Sequence, residues 1–233
     1  MTSIGSDTDR RPLTVFNPFD LSPVDTVPEN TPEDVEAALA SAHALFRDRD
    51  AWLPEYRRLA VLERTATLME ERFDQLSKIA VREGGKPMTD TRAEIARAID
   101  TVKGAAAALR TDAGKAIPMG LTPATDNRMA FTRREPIGVV VAVSAFNHPL
   151  NLIVHQVAPA VAAGCPFIVK PAPDTPLSCL TFVDILYEAG LPKDWGRAIV
   201  TSDNALSEKL ATDPRVGFFT FIGSSRVGWS LRS

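Results

Sequence analysis

The sequence predicts an α/β fold in which a parallel sheet with crossover helices follows a block of helices. Two short apolar runs, Val139–Val143 and Phe167–Val169, lack polar alternation, which suits strands covered on both faces. Between them an apolar helical segment, Leu150–Ala163, stops at Gly164, giving strand, helix and strand in parallel order. Each run ends on polar residues: the loop Ser144-Ala145-Phe146-Asn147-His148-Pro149 after the first, and Lys170-Pro171 after the second. Open α/β sheets take their ligands at that carboxyl edge.

From the amino terminus, the polar start MTSIGSDTDRR lacks the apolar core of a signal peptide and is expected to be disordered. Leu13–Phe16 and Val24–Val27 flank a turn at Asn17-Pro18-Phe19-Asp20, which predicts a small hairpin. Thr31-Pro32-Glu33-Asp34 is a helix start, with a capping hydroxyl, a proline at the first position and two acids at the positive end of the dipole. That helix runs to about Arg47, and one continuous helix follows from Glu55 to Arg82. Its apolar stripe is Leu59, Leu62, Ala66, Met69, Phe73, Leu76 and Ala80, and Gly84-Gly85-Lys86-Pro87 ends it.

A third helix covers Asp90–Arg110, Ala113–Asp126 reads as loop, and Asn127–Arg134 as an edge strand or an extension beyond the main body. Two further strands, Arg197–Val200 and Phe218–Phe221, complete the sheet, with helices at Leu177–Ala189 and Ala205–Thr212. The last segment opens a helix at Gly223-Ser224-Ser225 with the sheet still growing, so the chain is expected to be one piece of a longer or split protein.

With 26 basic and 29 acidic residues, the net charge of −3 asks for neither nucleic acid nor an anionic membrane. No apolar run is long enough to span a bilayer. Two cysteines, Cys165 and Cys179, make neither a disulfide framework nor a metal cluster, which points to a reducing, cytoplasmic setting. Both read as inert core thiols, and His43, His148 and His155 form no triad or metal set.

Three places carry chemistry. The Asn147 amide, on a loop after a buried strand, can donate to a developing oxyanion, or simply bond the turn backbone. Lys170 can hold a hydroxyl or phosphate at the sheet edge, or be a solvated lysine. Gly223-Ser224-Ser225, between strand and helix, offers amides and a hydroxyl to a phosphate, or a plain helix cap.

Taken together and in order, these segments resemble the aldehyde dehydrogenase family. Glu135-Pro136-Ile137-Gly138-Val139-Val140 is similar to the family's strand-leading segment, and Phe146-Asn147-His148-Pro149-Leu150 to its W/F-N-x-P-L loop. Ala158-Pro159-Ala160 through Ala163-Gly164-Cys165, Lys170-Pro171 with Thr175-Pro176, Glu188-Ala189-Gly190-Leu191-Pro192, and Phe221-Ile222-Gly223-Ser224-Ser225 with Val227-Gly228 follow in the family's order. The resemblance covers the chain from about Leu13.

It implies a Rossmann-like parallel sheet with N-terminal helices and part of a small β oligomerisation arm, incomplete with respect to the family. The implied divisions are a disordered 1–12, a helical part 13–126, an arm strand 127–135 and a cofactor-binding part 136–233. It also implies NAD or NADP as cofactor, an aldehyde as substrate, oxidation to a carboxylic acid through a thiohemiacetal, and a homo-oligomer. Asn147 would complete the oxyanion hole; Ser144, Ala145, Phe146, Lys170, Pro173, Gly223 and Ser224 would contact the cofactor.

Two departures stand out. NAD-preferring members often carry a Glu three residues after the strand-end lysine, where this chain has Pro173, with Asp174 next to it. Proline neither bonds a ribose 2′-hydroxyl nor repels a 2′-phosphate, so NADP should be tolerated. The family's nucleophilic Cys and general-base Glu lie beyond the position of Gly228, so the chain alone is expected to be inactive and to need a C-terminal catalytic portion as partner. The alternatives are a non-catalytic nucleotide-binding or oligomerisation module, and a reductase of acyl phosphates or acyl-CoA in the same superfamily.

Overall fold

The computed structural model describes residues 10–232. The first nine positions of the expected disordered start lie outside the described residues, and Pro12 already opens a strand. Strands β1 (Pro12–Phe16) and β2 (Pro23–Pro28) form the antiparallel hairpin expected there. Helix α1 (Pro32–Arg47) begins with a capping box: Thr31 Oγ1 accepts from the Asp34 N–H, and the Asp34 carboxylate accepts from the Thr31 N–H.

The single helix expected over 55–82 is two, α2 (Glu55–Glu71) and α3 (Phe73–Gly84). Arg72 breaks it, with φ −106° and ψ 19°. Met69, Leu76 and Ala80 stay in the core on both sides of the break, so the apolar periodicity does not register it. The Arg72 guanidinium bonds both carboxylate oxygens of Glu188, at 2.6 and 2.7 Å, and ties the joint to the sheet domain. Gly85 closes α3 at φ +66°, and a Cβ there would stand 2.4 Å from Pro18 of the hairpin. Helix α4 spans Met88–Thr111.

The region expected to be loop over 113–126 contains a strand. β3 (Lys115–Ile117) pairs antiparallel with β4 (Ala130–Thr132). The strand expected over 127–134 is therefore shorter, because Asn127 adopts the left-handed region at φ +57° and turns the chain into the ribbon. Met129 and Phe131 are exposed, as is Ile117, which pairs with Ala130 between them.

The main sheet holds β5 (Val139–Val143), β6 (Phe167–Lys170), β7 (Gly196–Ala198) and β8 (Val216–Phe221), all parallel, in the order β7-β6-β5-β8. Helices α5 (Asn151–Ala163), α6 (Leu177–Glu188) and α7 (Asn204–Thr212) are the crossovers, and α8 (Ser225–Arg232) follows β8. β7 ends earlier than the expected 197–200. The ladder closes with the Ile199 N–H on the Val169 carbonyl at 2.9 Å, and the Val200 N–H turns to the Asn30 side chain at 2.8 Å. β8 starts two residues earlier than expected, where Gly217 meets Gly138. A Cβ on Gly217 would lie 2.6 Å from the Gly138 Cα, so glycine there permits the close strand approach.

Both faces of the sheet are apolar, as the uninterrupted runs require. Val139, Val141 and Ile168 pack with Val35 and Leu39 of α1 and Leu206 and Leu210 of α7. Val140, Ala142, Phe167 and Val169 pack with α5 and α6, behind which α2 and α4 add a further layer. Each such Val, Leu, Ile or Phe side chain, fully buried, contributes about 1.5–3 kcal/mol. The chain runs β5, β6, β7 in one direction with α5 and α6 on one face. α7 then carries it back on the other face to β8, beside β5. The strand order thus reverses between β5 and β8. None of the described helices is long and apolar enough to cross a membrane.

Candidate active and cofactor site

At a reversal of strand order, the loops leaving the two central strands part in opposite directions and open a crevice at the carboxyl edge. Here those loops are the one after β5, which carries Asn147, and the one after β8, which carries Gly223 and Ser224. The strand tips are level. Val143 pairs with Lys170 on one side and Phe221 on the other, the Ser144 N–H bonds the Lys170 carbonyl at 3.0 Å, and the Ile222 N–H bonds the Val143 carbonyl at 2.9 Å. Gln156 of α5 clamps the crevice floor, its amide donating to the Val143 carbonyl at 3.2 Å and to the Thr220 carbonyl at 3.1 Å.

Two polar groups at these tips are under-satisfied. Lys170 is 7% exposed, and its ammonium meets the Pro171 carbonyl at 3.4 Å. Burial lowers its pKa, opposed in part by the charge of Glu29. The Ser144 hydroxyl is buried without a hydrogen-bond partner among the described residues. Such groups are stable only if something polar completes them. Asn147 and Phe146 are exposed, Ala145 and Pro173 half-buried. The Asn147 amide makes no hydrogen bond among the described residues, so the turn-bonding alternative is not realised. Ser224 is exposed and its Oγ accepts from the Val227 N–H at 3.4 Å, a helix cap at the crevice wall.

The chain matches the aldehyde dehydrogenase family over residues 4–233. This chain belongs to the aldehyde dehydrogenase family. It is 36% identical over 229 residues to a 3-sulfolactaldehyde dehydrogenase of Priestia aryabhattai, covering 97% of this chain and 47% of the relative. It superposes on the structure of aldehyde dehydrogenase 21 from Physcomitrella patens in complex with succinate with a TM-score of 0.91, at 35% identity over 97% of this chain and 47% of the other. With a Methanocaldococcus jannaschii glyceraldehyde-3-phosphate dehydrogenase complexed with NADP, the TM-score is 0.87 at 30% identity, over 96% and 48% of the two chains. The chain thus spans about half the length of the relatives it matches.

For an aldehyde dehydrogenase chain the state of the thiols matters. Cys165 is 2% exposed and Cys179 0%, and burial pushes both thiols up. Neither is at the crevice: Cys165 precedes β6 at the opposite edge of the sheet, and Cys179 lies inside α6.

The sequence reading missed two carboxylates. Glu83 of α3, 1% exposed, accepts from the N–H groups of Leu177 at 2.7 Å and Ser178 at 2.9 Å, at the start of α6. Glu94 of α4 accepts from the N–H groups of Leu150 at 3.1 Å and Asn151 at 3.2 Å, at the start of α5. The available signal was negative: Leu150 and Pro176 precede these helices and cannot cap them with a side chain.

A cleft of about 1180 Å³ lies away from this crevice, lined by residues that include Trp52, Arg58, Pro136, Ile137 and Cys165. It sits where β5 and β6 begin, not where they end. Arg58 spans part of it and bonds the Ala162 carbonyl. The carboxyl-edge crevice, with its unsatisfied polar groups, is the better candidate site.

Proposed function

We propose that this chain is the cofactor-binding half of an NAD(P)-dependent aldehyde dehydrogenase that oxidises an aldehyde to a carboxylic acid. The observation that carries the reading is the juxtaposition at one crevice of a free Asn147 amide, a buried and under-bonded Lys170 and the capped start of α8. The residues fit a dinucleotide. Lys170 and Ser144 would hold an adenosine ribose, and Gly223 and Ser224 its pyrophosphate. When bound, the dinucleotide supplies the hydride acceptor. Ala145 and Phe146 would form the wall beside it.

Asn147 would donate its amide N–H to the aldehyde oxygen as that oxygen gains negative charge, stabilising a charge present only during reaction. The nucleophilic thiol and the base would come from the part of the family that this chain does not span; the burial of Cys165 and Cys179 supports that reading for the thiol. Pro173, half-buried and without charge, supports tolerance of NADP. The open β3–β4 ribbon, with Met129 and Phe131 exposed, supports a role as an oligomerisation arm.

The test is a pair of substitutions in the full-length enzyme. Lys170→Ala should weaken NAD(P)H binding, read by fluorescence titration, by about tenfold or more. Asn147→Ala should leave that binding unchanged and lower kcat by about 10²–10³. Full turnover by Asn147→Ala would refute the assignment.

A further inference from the structure

The Asn147 side chain makes no hydrogen bond among the described residues, so its direction is set by the backbone on either side. Upstream, Ser144 is fixed by its N–H on Lys170. Downstream, Glu94 fixes the chain with both of its oxygens. Oε1 accepts from the Leu150 and Asn151 amides, at 3.1 and 3.2 Å. Oε2 faces Lys86 Nζ at 3.0 Å and His148 Nδ1 at 3.4 Å, and Lys86 Nζ lies 2.9 Å from that same Nδ1.

A cap needs only the first oxygen. The second joins Lys86, in the turn between α3 and α4, to the residue directly after Asn147. The Glu94 side chain is 0% exposed. A carboxylate so enclosed keeps its partners, because each lost bond leaves a charge that water cannot reach.

We propose that Glu94, with Lys86, is the positioning residue of the Asn147 loop: it holds the loop through His148, Leu150 and Asn151 and touches neither substrate nor cofactor. The inference rests on the reading of Asn147 as the oxyanion donor. In a preorganised site the donor must stand where the charge will form, and a displacement of about 1 Å costs on the order of a hundredfold in rate.

Hydrogen–deuterium exchange on the full chain tests the positioning without turnover. Glu94→Leu should speed exchange of the Leu150 and Asn151 amides about tenfold, the effect of losing a helix cap. Glu94→Gln, which keeps an acceptor oxygen, should restore most of that protection. Lys86→Met should leave those two amides protected, because the bonds from Glu94 Oε1 remain. The amides of Ile168 and Val169 in β6 serve as the reference for an intact fold. Unchanged exchange in Glu94→Leu with β6 intact overturns the positioning role, as does a Glu94→Gln variant no better protected than Glu94→Leu.

In the full-length enzyme, Glu94→Leu should lower kcat about tenfold or more at constant cofactor affinity, and should add no further loss to Asn147→Ala. An equal loss in both backgrounds overturns the link to Asn147. Unaltered kcat in Asn147→Ala is a separate result: it refutes the oxyanion reading, and with it the catalytic meaning of the positioning.

Discussion

Glu83 should make the fold less stable as the solution turns from mildly acidic to mildly basic. Its carboxyl is enclosed at the start of α6, and burial lifts its pKa from the ordinary 4.5 to about 7. The Leu177 and Ser178 amides pull the other way, and the Glu94 charge adds a little to the rise. Between those values the folded protein keeps a proton that the unfolded chain has released. The contribution to stability is therefore complete below about pH 4.5 and is lost as the pH rises through about 7. At about 1.4 kcal/mol per tenfold in proton affinity, the loss is about 3 kcal/mol.

Glu83→Gln keeps the shape and an acceptor but cannot ionise. Urea unfolding of both proteins, at steps from about pH 4.5 to about pH 8, gives the difference in stability at each pH. The wild type should fall by about 3 kcal/mol relative to the variant across that window. Asp213 and Glu36, held at about 2 by Arg215, are ionised throughout the window and cancel in the subtraction. A flat difference would refute the reasoning, because it would mean that the two helix amides outweigh burial and keep Glu83 charged.

Pro173→Glu in the full-length enzyme should shift the ratio of NAD to NADP affinity toward NAD, by charge repulsion of a 2′-phosphate; titration with both cofactors checks it, and an unchanged ratio counts against the site. Cys165 and Cys179 should resist iodoacetamide in the folded chain and react once it is unfolded in urea, and rapid native labelling, followed by mass spectrometry, would contradict that; the chain by itself should show no thiol-dependent aldehyde oxidation, and measured turnover by the pure chain would contradict this. Gly217→Ala should cost about 2 kcal/mol or more, seen as a drop in melting temperature, because its Cβ would meet the Ile137 carbonyl at 2.7 Å as well as the Gly138 backbone; an unchanged melt would show that the β5–β8 start can spread.

The sheet was legible because strands covered on both faces leave a local signature. Val139–Val143 and Phe167–Lys170 are strands, and Lys170 stands at a tip where its position in the run put it. What escaped depends on partners far away in the chain. The joint at Arg72 leaves the apolar stripe in step, so periodicity sees one helix. β3 is three exposed residues, and its pairing partner lies beyond two turns. Nothing in the local pattern marks Glu83 or Glu94; they are buried because α5 and α6, made later, arrive with bare amides. The Asn147 loop was readable as a place, while the groups that hold it were not.

The tertiary caps have a consequence for dissection. Residues 136–233 hold the whole parallel sheet and look like a portable nucleotide module, yet excised they would leave the starts of α5 and α6 open to solvent. A transplantable unit therefore reaches back to α1: α3 and α4 carry the caps, and Val35 and Leu39 cover the other face of the strands. Anyone shuffling domains here should cut before α1, not at the composition change near Gly138.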